Sequence, residues 1–454
     1  MEKTEILIIG GCAAGMSAAA AARRENENIS ITVLEKGKYI SYGSCAIPYY
    51  IEGVIPDWQP LVHHTPDEFK MKRNINVLIH AQAEHIDTEN KVVTYLYKEK
   101  QEQIKYDKLL IAVGGTPFDP FKIAGKYKNL FVCRNVEHAQ EIRKASDEMK
   151  NKKAIVLGSG YIGLEVACAF KSKGMQVQVF ERNDNILSGF IPEISSQAFE
   201  YLTEKGIVIN KNESVKDFVV ENETVKKVVT DKGEYDADLI LLAIGAKPAT
   251  DFIKETGIEL GKLGEVVINK SMETNIKDIW SAGDCAGTYN AFTGKYIYFP
   301  LAQGANKQGK IAGINMASGK KLELKGVVKS QAMKLFGLEI ASVGFNLDEA
   351  KENGFNAKMT TIESFTKAYK HLGGGKIKIS LIYDFDDGTI LGAQLIGAST
   401  TAIRVDIFTV AIYNKMKVNE FWNMDLVYVP PVAPVYDSCL IAARQAINEI
   451  GMES

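Results

Sequence analysis

The sequence predicts an α/β fold with two similar α/β units, followed by a smaller α+β domain. A pattern of strand, glycines, helix and second strand occurs near the amino terminus and again after residue 150. The last ~125 residues change to alternating apolar and polar positions, the pattern of half-buried antiparallel strands. A chain of 454 residues is also long enough for two or three domains.

Composition argues against several classes of function. Hydrophobic residues make up 46% and charged residues 24% of the chain, as in ordinary globular proteins. The formal net charge of −2 gives no basic field that would attract nucleic acid or an acidic membrane surface. No apolar run reaches the ~20 residues that cross a bilayer, and the start of the chain lacks a signal-peptide pattern. We therefore expect a cytoplasmic protein that binds neither nucleic acid nor membranes.

The cysteines form no metal-binding pattern. None is spaced as C-x-x-C, and no group of histidine and cysteine has zinc spacing, so no metal site is expected. In a reducing compartment they should be free thiols, and most such cysteines are small buried hydrophobic residues. The chain's six cysteines are Cys12, Cys45, Cys133, Cys168, Cys285 and Cys439.

The first unit opens with "TEILIIGGCAAGMSAAAAARR", in which the apolar run predicts a buried parallel strand. Gly10, Gly11 and Gly15 then lead into an alanine-rich helix, and the next strand, "SITVLEK", ends on Glu35. Such glycines let the backbone approach a pyrophosphate at a helix N-terminus, and an acid about 20 residues later can bind a ribose hydroxyl. The pattern therefore predicts a dinucleotide site, with one departure: Cys12 occupies the middle glycine position.

The second unit, "KAIVLGSGYIGLEVACAFKSKGMQVQVFER", has all three glycines, Gly158, Gly160 and Gly163, and ends on Glu181. Two such patterns, each in its full context, predict two Rossmann-like domains. Two dinucleotide sites in one chain suggest FAD and a nicotinamide nucleotide that exchange electrons. Glu181 favours NADH because a carboxylate repels a 2′-phosphate, but the adjacent Arg182 leaves NADPH open.

Other segments fit this arrangement. "YDKLLIAVGGTPFDP" and "YDADLILLAIGAKPAT" are each predicted to end one unit and link it to the next. In "DIWSAGDCAG", Asp284 could hold the ribityl chain of a flavin or be a simple turn residue. Ile377, Ile379 and Leu381 alternate with polar residues, which predicts a half-buried strand, and the "DDG" that follows predicts a hairpin. "TTAIRVDIFTVAIYNKM" predicts an amphipathic helix.

The motifs "GGCAAG", "YDKLLIAVGG", "GSGYIGLE" and "SAGDC", in this order, resemble the flavoprotein pyridine nucleotide–disulfide oxidoreductases over essentially the whole chain. The resemblance implies a discontinuous FAD-binding domain over 1–115 and 250–325 and an NAD(P)H-binding domain over 116–249. It implies a C-terminal dimerisation domain over 326–454. The protein is then expected to be a homodimer whose active site borrows residues from the partner subunit.

The stretch "SYGSCAIPYYI" indicates the subgroup. Glutathione-reductase-like members carry a second cysteine near this point, whereas this chain has Ser41, which cannot form a disulfide with Cys45. The remaining branch uses one cysteine and comprises coenzyme A-disulfide reductases, persulfide or polysulfide reductases, NADH oxidases and NADH peroxidases. The peroxidases and water-forming oxidases carry a histidine at the position of Ala13.

The resemblance therefore implies an FAD-dependent NAD(P)H:disulfide oxidoreductase that reduces coenzyme A disulfide, or a related coenzyme A persulfide or polysulfide, through Cys45. An NADH oxidase that reduces oxygen is the alternative, although Ala13 argues against it. A non-enzymatic electron carrier is a third hypothesis, which the two complete dinucleotide patterns and Cys45 disfavour. "GSCAIPYY" is predicted to start a helix at or just after Cys45, where backbone amides would stabilise a thiolate.

The resemblance also assigns roles to individual residues. Besides Cys45, it implies catalytic roles for Tyr428, which would reach the partner's active site, and for Tyr369. Tyr428 could equally be a buried core aromatic, and Tyr369 lies in "ESFTKAYKHLGGGK", which departs from the coenzyme A-disulfide reductase pattern. The implied FAD contacts are Gly10, Gly11, Ala14, Gly15, Glu35, Lys36, Ala83, Ala112, Gly114, Asp284, Pro300, Leu301 and Ala302.

The second unit carries the nicotinamide contacts that the resemblance implies. Tyr161 would cover the flavin until the nicotinamide arrives, and Glu165 would lie near the nicotinamide or be a helix-surface charge. The full set for NAD(P)H is Gly158, Gly160, Tyr161, Ile162, Gly163, Glu165, Glu181 and Gly245. Coenzyme A, as substrate or as an adduct on Cys45, is expected to contact Ser17, Arg24, Ser41 and Ser44. Arg24 could equally be a partner of the helix dipole at the end of the first helix.

Overall fold

The computed structural model describes residues 2–452, and its first sheet has seven strands. The elements are β1 (Glu2–Ile9), α1 (Ala13–Glu25), β2 (Ile31–Glu35), α2 (Ile47–Glu52), α3 (Pro66–Arg73), β3 (Asn76–Ile79), β4 (Ala81–Asp87), β5 (Val92–Tyr97) and β6 (Lys100–Ile111). The order β3-β2-β1-β6-β5-β4 places the predicted apolar strand, β1, between two parallel neighbours. Ile6, Leu7 and Ile8 are fully buried there, as expected for a strand covered on both faces.

The second unit repeats this design with a five-stranded parallel sheet. Its elements are β7 (Gly115–Pro117), β8 (Leu130–Val132), α4 (Val136–Asp147), β9 (Lys153–Leu157), α5 (Tyr161–Ser172), β10 (Gln176–Phe180), α6 (Pro192–Glu204), β11 (Val208–Asn210), β12 (Val215–Glu221), β13 (Thr224–Thr230), β14 (Glu234–Asp236), β15 (Leu239–Leu242) and β16 (Ala246–Pro248). The sheet order is β11-β10-β9-β15-β8, while β12 to β14 form a separate antiparallel sheet. The two predicted linkers pair with each other, because β7 and β16 are antiparallel neighbours.

The chain then returns to the first unit with β17 (Ile279–Ser281), β18 (Thr288–Tyr289), β19 (Tyr296–Ile297) and α7 (Ala302–Ser318), and β18 and β19 form a small sheet of their own. Strand β17 pairs in parallel with β6, so the first unit is assembled from two separate parts of the sequence. Helix α7 packs closely on the alanine-rich α1, because a side chain at Gly309 or Gly313 would clash with the carbonyl oxygens of Ala14 or Ala18. The residue limits of the three domains stay a prediction.

The C-terminal part is the predicted α+β domain. It comprises β20 (Gln331–Leu335), β21 (Leu338–Gly344), α8 (Leu347–Glu352), β22 (Ala357–Phe365), β23 (Lys376–Asp384), β24 (Ile390–Gly397), α9 (Val405–Tyr413), α10 (Val418–Trp422) and α11 (Ser438–Ile450). Its antiparallel sheet has the order β20-β21-β24-β23-β22, and β23 and β24 form the predicted hairpin.

Two details of this domain differ from the sequence prediction. Strand β23 is more buried than its alternation indicates: Ser380 is fully buried, and its hydroxyl lies 2.8 Å from that of Thr361, so the polar position is satisfied inside the sheet. The predicted helix is also shorter, because residues 402–404 form a 3₁₀ turn before α9 begins. In residues 2–452 no helix is both long and apolar enough to cross a membrane.

The short helix α2 connects the first unit to the second. Ile47 and Ile51 of α2 are fully buried and share a hydrophobic core with Val136 of α4 and Leu164 of α5. The residues just before α2 therefore lie at the junction of the two units.

Candidate active site

A cavity of about 1670 Å³ lies where the two α/β units and the C-terminal domain meet. The first unit contributes its glycine turn, the second the start of α5, and the C-terminal domain the segment around Ala402. The cavity brings together most of the predicted site residues: Gly10, Gly11, Ala14, Glu35, Lys36, Ser44, Cys45, Ala83, Ala112, Gly114, Tyr161, Ile162, Glu165, Asp284, Pro300, Leu301 and Ala302.

Cys45 lies in this cavity and is exposed. It occupies a 3₁₀ turn, Ser44–Ala46, directly before α2, so the predicted helix begins just after it. All six cysteines fall within the described residues, and Cys45 alone among them is exposed. Burial raises the pKa of the Cys133 and Cys168 thiols to about 12 and also raises the pKa of Cys12, Cys285 and Cys439. Because the thiolate is the nucleophilic form, these five are poor nucleophiles.

The first glycine turn has the shape that a pyrophosphate site requires. Gly10 has a φ of +111°, and a side chain there would clash with the carbonyl oxygen of Ala112. A side chain at Gly15 would clash with the carbonyl oxygen of Gly10, so α1 can begin close behind β1 only because Gly15 has none.

Glu35, the acidic residue of the first unit, is held in place by hydrogen bonds from the backbone. One carboxylate oxygen of Glu35 accepts a hydrogen bond from the Gly11 N–H at 2.7 Å, and the other accepts from the Gly37 N–H at 2.6 Å. Cys12 at the middle glycine position donates its thiol to the Tyr42 carbonyl at 3.5 Å. This hydrogen bond anchors the extra side chain on the Tyr42 loop.

The second glycine turn repeats this geometry. Gly158 has a φ of +102°, and a side chain there would clash with the backbone carbonyl oxygen of the residue that follows β15. A side chain at Gly163 would clash with the Gly158 carbonyl. Gly160 is exposed, and a side chain there would have nothing within 4 Å, so a ligand can approach the backbone. Glu181 accepts a hydrogen bond from the buried Ser159 hydroxyl at 2.6 Å.

Asp284 lies in a turn after β17 and lines the cavity. Its carboxylate pairs with the Arg134 guanidinium at 2.6 Å, and Arg134 also lines the cavity. Sequence analysis missed Arg134 because it lies in no recognised motif and meets Asp284 across 150 positions of sequence. Its position just after β8 could have indicated a site residue, since ligands of parallel sheets bind outside the carboxyl ends of the strands.

Tyr161 and Glu165 project from the first turns of α5 towards the cavity. Burial raises the pKa of Glu165 to about 7, against a small opposing effect of the Lys334 backbone. Glu165 is half-buried and lines the cavity, so it is not a charge on the outer surface of the helix. A carboxyl group with such a pKa can exchange a proton near neutral pH.

Several predicted residues lie outside this cavity. Gly15, Gly158, Gly160, Gly163, Glu181 and Gly245 belong to the glycine turns and strand ends instead. Ser17 donates its hydroxyl to the Asn306 side chain at 2.7 Å, and the Ser41 N–H donates to the Gly11 carbonyl at 2.9 Å. Arg24 lines a separate cleft of about 520 Å³ together with His64, Lys72 and Arg73.

Tyr369 and Tyr428 do not line the large cavity of their own chain. The two residues are 61% and 51% exposed, so the alternative interpretation of Tyr428 as a core aromatic is wrong. The surface around Tyr428 is apolar and exposed, with Val427, Val432 and Val435 on the same segment.

Comparison with known proteins is consistent with this geometry. The family described as pyridine nucleotide-disulphide oxidoreductase matches residues 4–309. The dimerisation domain of the same family matches residues 330–438.

Individual proteins resemble the chain over nearly its whole length. An NADH oxidase of Methanocaldococcus jannaschii is 33% identical, covering 98% of this chain and 99% of its own. A CoA-dependent NAD(P)H sulfur oxidoreductase of Pyrococcus furiosus is also 33% identical, with the same coverage of 98% and 99%. The solved structure of an NAD-dependent persulfide reductase from A. fulgidus superimposes with a TM-score of 0.93 at 32% identity, covering 98% of this chain and 83% of that chain.

Proposed function

The chain belongs to the pyridine nucleotide-disulphide oxidoreductase family, and we propose that it reduces the disulfide, or a related persulfide or polysulfide, of coenzyme A. The observation that carries this proposal is the placement of Cys45, the exposed cysteine, in a cavity that both glycine-turn units help to line. The names of the P. furiosus and A. fulgidus relatives support the same sulfur chemistry.

The cofactors are FAD and NAD(P)H, and the chain has a fitting turn for each. Both turns have a glycine with positive φ, a second glycine that lets the helix start close behind the strand, and an acid at or just after the end of the second strand. FAD and the nicotinamide nucleotide, when bound, supply hydride and electron transfer. The protein's part would be to hold each nucleotide at its own glycine turn and to keep Glu165 available for proton exchange.

Cys45 carries out the chemistry of the substrate. Its thiolate sulfur attacks one sulfur of the coenzyme A disulfide, the S–S bond breaks, and a mixed disulfide forms on Cys45. The leaving thiolate takes a proton and departs as the first coenzyme A thiol. Two electrons that originate from NAD(P)H, and one further proton, restore the Cys45 thiolate and release the second thiol, so one NAD(P)H is oxidised for each disulfide.

The cleft around Arg24 supports coenzyme A as the carrier of that sulfur. Arg24 and Arg73 make no ion pair within residues 2–452, although both line the cleft. Lys72 and His64 line the cleft too, and both lie beside the Glu68 carboxylate: the Lys72 ammonium is 3.1 Å from it and the His64 imidazole 3.7 Å. Unpaired guanidinium groups suit the phosphates of coenzyme A, because they bind phosphate oxygens in a bidentate manner. Ser44 next to Cys45 would contact the thiol end of the same molecule.

The surface that bears Tyr369 and Tyr428 is proposed to face a second copy of the chain. The dimerisation-domain match covers Tyr369 and Tyr428, and both tyrosines are exposed. In the resulting homodimer they would complete the partner's site beside Cys45. A cytoplasmic location stays a prediction from the sequence.

An NADH oxidase is the second candidate, favoured by the name of the M. jannaschii relative. Ala13 offers no proton donor for oxygen or peroxide chemistry at the first glycine turn. His138 does line the cavity, but it lies in the first turn of α4 near Lys36, and burial lowers the pKa of its imidazole. His138 therefore does not supply the proton donor that Ala13 lacks at the first glycine turn.

The test is anaerobic oxidation of NADH by the FAD-loaded protein, with and without coenzyme A disulfide. Wild type should consume one NADH per disulfide, whereas Cys45→Ser should lose at least about 10³-fold in this activity because the nucleophile is gone. Cys168→Ala, a buried cysteine outside the cavity, is the matched control and should retain activity. Consumption that needs oxygen would favour the oxidase, and full activity in Cys45→Ser would overturn the proposal.

A further inference from the structure

We propose that Ser159 makes the chain select NADH over NADPH, by fixing the carboxylate of Glu181 at the ribose-binding end of the second glycine turn. The inference rests on the proposed function only in taking that turn as the nicotinamide-nucleotide site. Ser159 is a positioning residue in this account, because it acts through Glu181.

The contacts hold the carboxylate from both sides. The Ser159 hydroxyl donates to Oε2 of Glu181 at 2.6 Å, and the Ser159 N–H donates to the same oxygen at 3.2 Å. The Asn183 N–H donates to Oε1 at 2.9 Å. Ser159 is itself 1% exposed, so water cannot readily replace its hydroxyl.

The first glycine turn shows that this hydroxyl is an addition to the basic design. Its acid, Glu35, is held by two backbone N–H groups alone, those of Gly11 and Gly37. Gly11 occupies the place that Ser159 has in the second turn, and a side chain at Gly11 would lie 2.8 Å from Ile40. The arrangement of strand, glycine turn and acid therefore forms without a hydroxyl at this position.

The reason for an additional anchor lies in the neighbouring residue. Arg182 follows Glu181 directly, is exposed, and makes no ion pair in the described part of the chain. A guanidinium at this place would attract the 2′-phosphate of NADPH, whereas a fixed carboxylate repels it and accepts from the 2′-hydroxyl of NADH. Ser159 keeps the carboxylate at that position, so the carboxylate rather than Arg182 determines which nucleotide binds.

The test measures binding without hydride transfer. Isothermal titration calorimetry on the FAD-loaded protein gives dissociation constants for ADP-ribose and for 2′-phospho-ADP-ribose. Wild type should prefer ADP-ribose, and Ser159→Ala should reduce the preference about tenfold, the effect of one hydrogen bond to a charged group. Flavin absorbance confirms that each variant keeps its fold and its FAD.

A double-mutant cycle separates positioning from direct contact. In a Glu181→Gln background, Ser159→Ala should leave the preference unchanged, because the charge through which Ser159 acts is gone. The inference is overturned if wild type shows no preference, if Ser159→Ala keeps the wild-type ratio, or if its effect is the same in the Glu181→Gln background. Failure of the protein to reduce coenzyme A disulfide would overturn the proposed function and leave this binding ratio intact.

Discussion

The two glycine turns share one backbone design but differ in how closely the rest of the chain surrounds them. Around the first, α7 packs against α1 with no room for a side chain at Gly309, and Cys12 is tied to the Tyr42 loop. Around the second, Gly160 is exposed and has open space where a side chain would be. The enclosed turn suits a nucleotide that stays bound through every turnover, and the open one suits a nucleotide that must enter and leave.

The largest effect is expected from the same substitution in both turns. Gly10→Ala and Gly158→Ala each force a side chain into a positive-φ position against a carbonyl oxygen, at a cost of about 2–5 kcal/mol. Gly10→Ala should yield protein without flavin, whereas Gly158→Ala should keep FAD and lose NADH binding. Flavin absorbance and anaerobic NADH titration check both. Equal flavin content in the two variants would break the distinction between an enclosed and an open turn.

A second pair compares the packing beside the two turns. Gly309→Ala should destabilise the protein by about 1–3 kcal/mol, because its side chain meets the Ala14 carbonyl and overpacks the contact between α7 and α1. Gly160→Ala should change stability by no more than about 0.5 kcal/mol, since it meets no neighbour. Denaturant unfolding of the FAD-loaded proteins measures both. Comparable losses would mean that the second turn is as tightly packed as the first.

Glu165, the acidic residue of the second unit that lines the cavity, should make the stability of the protein depend on pH. Because burial raises the pKa of Glu165 to about 7, the folded protein keeps this proton while the unfolded chain loses it near pH 4.5. The contribution of Glu165 to the free energy of unfolding should therefore fall as pH rises from about 4.5 to 7, and Glu165→Gln should remove a penalty of at most about 3 kcal/mol at pH 8. Melting temperatures of both proteins at pH 4.5 and pH 8 test this. A variant that is no more stable at pH 8 would contradict it.

The smallest effect is expected at the position where the two glycine patterns differ. Cys12→Gly restores the middle glycine and removes one thiol hydrogen bond to Tyr42, a contribution of about 1 kcal/mol or less. FAD affinity should change by no more than about fivefold. Fluorescence titration of flavin release measures it, and complete loss of FAD would show that Cys12 is essential to the first turn.

The sequence allowed prediction of features that depend on local spacing. The roles of Gly10, Gly15 and Glu35 could be predicted because the strand, the turn and the helix follow one another within a short stretch of sequence. The hairpin of β23 and β24 could be predicted from the alternation of apolar and polar residues and from a turn motif. The pair of Arg134 and Asp284 could not be predicted, because their contact depends on how two distant segments meet. The roles of Tyr369 and Tyr428 depend on a second copy of the chain, which no local pattern describes.

The most direct test of the account is quantitative alkylation of the cysteines, followed by mass spectrometry, at each stage of an anaerobic reaction. Protein reduced with NADH and then mixed with coenzyme A disulfide should carry the mass of coenzyme A on Cys45, and a second addition of NADH should make Cys45 alkylatable again. The five other cysteines should react to the same extent throughout. A Cys45 whose alkylation never changes, or a change at another cysteine instead, would contradict the claim that Cys45 is the redox-active cysteine of the cavity.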